Sequence, residues 1–279
     1  MRALFQRFFP FLLLCLLLAS CRAAPGASQA RTGTPQQASI VHDEVKRTFI
    51  YYAPANLPTE PVPLVFMLHG GGGSAEHTMT TMTEGRWNAL GEQFAIDPAR
   101  VYGAGHSNGG MMAFRLAIEL GDRIAAAFSS AGNLARTSEC APPNRAVPIL
   151  YLAGTANPMM PFEGGPIAIP DSSDRGEVLS AAETVQFWVE ALHVPADPEE
   201  SALPDVVPSD GSTVTLFRYG GDAGRAAFLF YRVEGGGHGW PSPTPFGRWQ
   251  QARKGQKNQD INACDEAWRF FQAHSLALP

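Results

Sequence analysis

A continuous apolar run closed by glycines, VPLVFMLHGGGG at residues 62–73, constrains the fold most. A strand that is apolar on both sides must be covered on both sides, which is the situation of a parallel strand between helical layers. The pattern recurs. AIDPARVYGAG, IAAAFSSAG and VPILYLAGTAN are further strand-like runs ending at small residues, and VKRTFIYYAP is a β-branched and aromatic run bounded by proline. Between them lie segments of helical character: MTEGRWNALGEQFA, the stretch from Met111 to Leu120, and VLSAAETVQFWVEAL, with Val178, Ala182, Val185, Trp188 and Val189 on one face. TVTLFRYG and AAFLFYRVEGGGHGW supply the last two strands and DINACDEAWRFFQAH the closing helix. Strands alternating with helices predict an α/β fold, a mostly parallel sheet with helices on both faces.

The N-terminus has a different character. Arg2 and Arg7 form a positive region ahead of FFPFLLLCLLLAS, an apolar stretch too short and too poorly flanked for a stable membrane span. It runs into Leu18-Ala19-Ser20-Cys21, which resembles a bacterial lipobox, where cleavage falls before the cysteine and its thiol carries lipid. Residues 1–20 are therefore expected to be a lipoprotein signal peptide and Cys21 the point of attachment to a membrane. The chain would be exported and anchored on the periplasmic or cell-surface face; an ordinary secretory signal cut near CRAAPGA is the alternative. From Arg22 to Ser39 the chain is rich in Ala, Gly, Ser, Thr, Pro and Gln with no apolar period, so 21–39 reads as lipidated cysteine plus disordered tether, and 40–279 as the folded domain.

The formal net charge is −5, and losing Arg2 and Arg7 with the signal would take it to about −7. No basic field is present to hold nucleic acid. Beyond the signal and Cys21, the cysteines are Cys140, just before a strand, and Cys264, near the start of the last helix. In a parallel layer those positions are at opposite ends of the sheet, so two free thiols are expected.

Three glycine-marked loops follow three of the strands, and in such sheets the C-terminal strand ends are where ligands bind. His69-Gly70-Gly71-Gly72-Gly73 lets backbone N–H groups approach an oxyanion, though glycine loops are common and this one alone says little. Gly105-His106-Ser107-Asn108-Gly109 is a G-x-S-x-G elbow, in which glycines relieve crowding where a strand turns into a helix and leave the serine oxygen exposed. The third loop, Gly235-Gly236-Gly237-His238-Gly239-Trp240-Pro241, places a histidine after the final strand, where the general base of such a fold would stand. His69 and His106 flank the site and read as loop-packing residues. Trp240 would form an aromatic wall for an acyl group or pack in the core, and Trp87, Trp188 and Trp268 belong to the core. Histidines and cysteines are too scattered for a metal site, and no phosphate-binding or dinucleotide fingerprint occurs.

Together HGGGG, GHSNGGMMAFRLA, AGNL, PILYLAGTANPMMPFEGG and GGGHGWP resemble the polyhydroxybutyrate-depolymerase and feruloyl-esterase type of secreted α/β-hydrolase, over roughly residues 45–274. The resemblance implies hydrolysis of a carboxylic ester through an acyl-enzyme, without metal or cofactor. Ser107 would be the nucleophile, His238 the base, and Gly71, Gly72 and Asn108 the oxyanion donors. Polyhydroxyalkanoate-type oligomers, feruloylated or acetylated polysaccharides and short esters are all admitted as substrates.

Two departures stand out. The family's triad acid lies in a segment resembling G-T-A-D-P, and this chain has Gly154-Thr155-Ala156-Asn157-Pro158. Asn157 can hydrogen-bond an imidazole but cannot stabilise an imidazolium by charge, and it can select the wrong tautomer. Asp171 or Asp174 would have to fold back to replace it. In addition, only about 37 residues separate Gly70 from Ser107, as though one β-α unit before the nucleophile strand were missing. The N-terminal strand must then close the sheet or leave an open edge. Reduced activity is the expectation, and a catalytically inactive hydrolase fold with a binding or structural role is the alternative.

Overall fold

The computed structural model describes residues 33–78, 95–169 apart from 139, 142 and 144, 175–221 and 227–277. In chain order the elements are β1 (Gln36–His42), β2 (Val45–Tyr51), β3 (Val62–Leu68), α1 (Ala75–His77), β4 (Ile96–His106), α2 (Asn108–Glu119), β5 (Ala126–Ser130) and β6 (Ile149–Gly154). They continue with β7 (Gly165–Pro166), β8 (Glu177–Val178), α3 (Ala181–Ala191), β9 (Glu199–Ala202), β10 (Thr213–Tyr219), β11 (Phe228–Glu234), α4 (Arg248–Lys254) and α5 (Ala263–Gln272). The main sheet has the order β3-β4-β5-β6-β11-β10-β9. Its first five strands are mutually parallel, and β10 and β9 close the far side antiparallel. The expected mostly parallel α/β sheet is what forms.

Alternation along the strands explains the two-layer covering. Tyr102, Ala104, Phe128, Leu150 and Leu152 point to one face and meet Ala267, Phe270 and Phe271 of α5. Ala127, Ile149, Tyr151 and Ala153 point to the other, against Phe114 of α2 and Trp188 of α3. Tyr102 stacks on Phe271 with ring centroids 4.6 Å apart, and its hydroxyl donates to the His274 carbonyl at 2.7 Å. Truncating a fully buried aromatic such as Trp188 costs about 3–5 kcal/mol in such cores.

Several boundaries differ from the sequence reading. Helix α3 starts at Ala181 because Ser180 and Glu183 form a reciprocal capping box. Its buried face is therefore Ala181, Thr184, Trp188 and Val189, with Ala182 exposed and Val178 already in β8. Trp268 is 38% exposed rather than core, and Trp87, with the helix expected around it, lies outside the described residues. Strand β1 begins inside the segment read as tether, because Gln36–Ser39 pair backbone to backbone with Thr48–Tyr51, a bond pattern that composition does not reveal. Cys140 and Cys264 are free thiols, as expected.

The N-terminal strands pair with each other in a separate two-stranded sheet and do not extend the main one. Strand β3 is thus the outermost described strand of the main sheet, bonded to β4. Its Phe66 is 40% exposed. Among the described residues, β1 and β2 do not close the main sheet beyond β3, one of the two outcomes foreseen for the short spacing before Ser107. All three glycine loops leave from the C-terminal ends of parallel strands, so the fold brings them to one side of the sheet.

Candidate active site

Strand β4 ends at His106 and α2 begins at Asn108, leaving Ser107 to make the whole turn at φ 58° and ψ −124°. A non-glycine residue there holds backbone strain of about 1–3 kcal/mol, tolerated only where surrounding contacts fix it. Those contacts are present. The Ser107 N–H donates to the Ser130 carbonyl at 2.8 Å, and its own carbonyl accepts the first helical bond from Met111 at 3.0 Å. The flanking glycines are sterically required: a Cβ on Gly105 would lie 2.1 Å from the Gly109 carbonyl oxygen, and one on Gly109 would lie 2.1 Å from that of Leu68. The second of these approaches also fixes the elbow against the end of β3.

From β3 the chain enters the HGGGG loop. The Gly73 N–H closes a turn on the Gly70 carbonyl at 3.0 Å, and Gly72 takes φ +70° within it. A Cβ on Gly70 would lie 3.3 Å from Cβ of Ser107, and one on Gly71 3.9 Å from that of Asn108. Gly71 and Gly72 line one cavity of about 440 Å³ with Ser107 and His238, and Asn108 is the first residue of α2. N–H groups at a helix start have no partner within the helix and favour negative charge, so the surroundings suit an oxyanion. His69 packs locally, its Nδ1 2.9 Å from the Gly70 carbonyl oxygen.

His238 is held by its backbone. Its N–H donates to the Lys254 carbonyl at 2.5 Å, and the Gly237 N–H donates to Gln256 at 2.7 Å. The His238 Nδ1 lies 3.1 Å from Oδ1 of Asn157. That same oxygen accepts the backbone N–H groups of Met159 at 3.0 Å and Met160 at 2.9 Å. Two amide donors aimed at one atom require it to be the carbonyl oxygen rather than the NH₂ of Asn157. An oxygen can only accept, so His238 Nδ1 carries the proton and Nε2 keeps its lone pair. The tautomer needed by a general base is therefore the one Asn157 enforces, and the concern that Asn would select the other is removed by the two methionine amides.

The electrostatics are less favourable. His238 is buried, its pKa pushed down to about 3 by burial first and by the Lys254 ammonium second. His106, with its ring centroid 4.8 Å from that of His238, is also held well below the usual imidazole range, by burial above all. Lys254 is itself lowered, by burial and then by Arg253. Asp171 and Asp174 lie outside the described residues. Among the described residues, no hydrogen bond joins Ser107 Oγ to His238, a contact that such sites commonly complete only with substrate bound.

Trp240 is placed away from the cavity surface: it is 3% exposed, with its ring 5.1 Å from Phe128 and 6.3 Å from His106, centroid to centroid. The cavity wall is supplied instead by Met159 and Ile169 and by Trp249, Gln250, Arg253 and Lys254 of α4. Trp249 is 88% exposed. Sequence reasoning missed α4 altogether; its one signal was Gly247 before and Gly255 after a short run, bounding seven residues without apolar periodicity.

No protein-family profile matches the chain. It is 30% identical, over 276 aligned positions spanning 81% of this chain and 79% of the other, to "Putative esterase NocK" from Nocardia uniformis subsp. tsuyamanensis. Among solved structures, acetyl xylan esterase from Aspergillus awamori matches over 86% of this chain and all of its own (100%), with a TM-score of 0.55 and 14% identity. That likeness concerns the fold alone. A thermostable esterase is matched over 87% of this chain and 63% of its own length at 12% identity, with a TM-score of 0.46, too low to support any inference.

Proposed function

Because this chain belongs to the esterase family of NocK and has the α/β-hydrolase fold, we propose that it hydrolyses carboxylic esters through an acyl-enzyme formed on Ser107. Ser107 Oγ attacks the ester carbonyl carbon while its proton passes to His238 Nε2, and the carbonyl oxygen becomes an oxyanion facing Gly71, Gly72 and Asn108. The acyl–oxygen bond then breaks and the leaving alkoxide takes the proton from His238. Water repeats the sequence on the acyl-serine and releases the acid. Asn157 fixes the histidine tautomer but adds no charge, so turnover is slow. The observation that carries this reading is the shared oxygen of Asn157, which leaves His238 Nε2 unprotonated in the same cavity as the strained Ser107.

The substrate classes are those implied by the resemblance to polyhydroxybutyrate depolymerases and feruloyl esterases: hydroxyalkanoate-type oligomers, acylated polysaccharides or short esters. The β3–β4 adjacency and the short Gly70–Ser107 spacing support loss of one β-α unit from that pattern, and Asn157 supports replacement of its acid. Cleavage after Ser20 and lipid on Cys21 would hold the enzyme at the periplasmic or cell-surface face of a membrane. Hydrolysis of 4-nitrophenyl butyrate by the wild type and by Ser107→Ala tests the assignment: slow release above background, abolished by the substitution, is expected. Equal rates would instead favour a second reading, an inactive hydrolase fold with a binding role, to which the uncharged Asn157 also points.

A further inference from the structure

One wall of the cavity is cationic. Arg253 and Lys254, the last two residues of α4, line it with Ser107 and His238. Lys254 is tied to the site through its main chain, whose carbonyl accepts the His238 N–H, and its Nζ lies 5.5 Å from the centroid of the Phe246 ring. Among the described residues neither cation forms an ion pair, although Arg100, Arg115, Arg136, Arg218, Arg232 and Arg269 each do. A half-buried ammonium without a counter-charge is unfavourable, and this one stands where it opposes protonation of the base. The arrangement becomes favourable when an anion arrives. Met159, Ile169 and Trp249 supply an apolar part of the wall that suits a short hydrocarbon segment, beside the polar His77, Thr78 and Gln250.

We propose that this site selects esters that carry a free carboxylate a few bonds from the scissile carbonyl, with Arg253 and Lys254 holding that carboxylate. The inference rests on the esterase reading and names its substrate class. It also gives the neutral Asn157 a context. A carboxylate paired with Lys254 cancels the charge that opposes the His238 imidazolium, so the substrate would bring part of the negative charge that the triad lacks. Anionic esters should therefore gain in kcat as well as in KM.

Two matched pairs test this and tell which side of the ester bears the charge. Mono-4-nitrophenyl glutarate against methyl 4-nitrophenyl glutarate places it on the acyl side. The 4-acetoxybenzoate anion against methyl 4-acetoxybenzoate places it on the leaving group. At low salt one anion is expected to exceed its neutral partner in kcat/KM about tenfold, the advantage shrinking as salt screens it. Lys254→Met and Arg253→Gln should both abolish the preference. Lys254→Met should also raise kcat on the neutral esters, which a merely structural role would not do. Arg253 is exposed, so its substitution reports even where Lys254→Met folds poorly.

Calorimetric binding of monomethyl glutarate to the Ser107→Ala protein reads the anion site without turnover. Binding that is lost with Arg253→Gln supports the site even if no ester is cleaved, an outcome that would overturn the esterase assignment alone. Equal kcat/KM within both pairs, with the neutral esters hydrolysed through Ser107, would overturn the carboxylate assignment and leave the esterase standing. Absence of binding by both monomethyl glutarate and the 4-acetoxybenzoate anion to the Ser107→Ala protein would overturn it as well.

Discussion

Replacing Asn157 by Asp adds one negative charge beside His238 with almost no change of volume. Oδ1 stands 3.1 Å from Nδ1, and the imidazolium charge is spread over the ring, so the effective separation is roughly 4 Å. At an effective dielectric of about 20 the attraction is ~4 kcal/mol, equivalent to about 3 pKa units on the histidine. Desolvation of the new carboxylate takes back part of this, while the Met159 and Met160 N–H groups already aimed at that oxygen offset the desolvation in turn. His238 should rise from about 3 toward the ordinary imidazole range. In the proposed mechanism the transition state contains an imidazolium, so the part of that ~4 kcal/mol left after desolvation should raise kcat by roughly 10²–10³. The assay is 4-nitrophenyl butyrate hydrolysis across pH. The acid limb of kcat/KM should move upward with the pKa, so the variant gains at neutral pH but loses activity sooner on acidification. An unchanged kcat together with an unmoved acid limb would refute the view that missing charge, rather than geometry, limits this site.

Gly109→Ala drives a Cβ into the Leu68 carbonyl and should cost about 3 kcal/mol in stability, with esterase activity lost; an unchanged melting temperature would contradict the close approach. His106 and His238 are both neutral in the fold, with pKa values below 6.5. The unfolded chain binds their protons first, so stability is full above pH 6.5 and falls on acidification by ~1.4 kcal/mol per pH unit for each until its folded pKa is reached. Urea midpoints at pH 7 and pH 5 measure this, and a flat profile would exclude it. Cys21→Ala should release the protein from membranes in fractionation; unchanged membrane association would count against lipid at that residue.

What could be read from the sequence was what is encoded locally. The buried strands announce themselves as apolar runs, and Ser107, His238 and Asn157 each lie just beyond one of them. The conformation of Ser107 follows from glycines two residues to either side. By contrast, the tautomer of His238 depends on where Met159 and Met160 aim their amides, a matter of loop geometry that no spacing expresses. Helix α4 escaped because it is short, polar and buries none of its residues, so it carries no hydrophobic period. Trp240 was ambiguous because an aromatic beside a histidine loop packs inward or outward depending on the layer beneath it, here Phe128. The pairing of β1 with β2 was hidden for a similar reason: both strands are largely solvent-exposed, and exposed pairing leaves little trace in polarity.

The edge position of β3 bears on how the enzyme would fail. The HGGGG loop hangs from a strand with a single described neighbour, whereas Ser107 sits between β4 and α2 and the His238 loop leaves from the middle of the sheet. Local opening free energies differ across a fold, and an edge strand belongs to the low end. On warming, β3 would detach from β4 as a unit and carry the HGGGG loop with it while the rest of the sheet stayed folded. Inactivation would then precede global melting and reverse on cooling, so the working temperature would be set by the weakest ladder in the sheet rather than by its core.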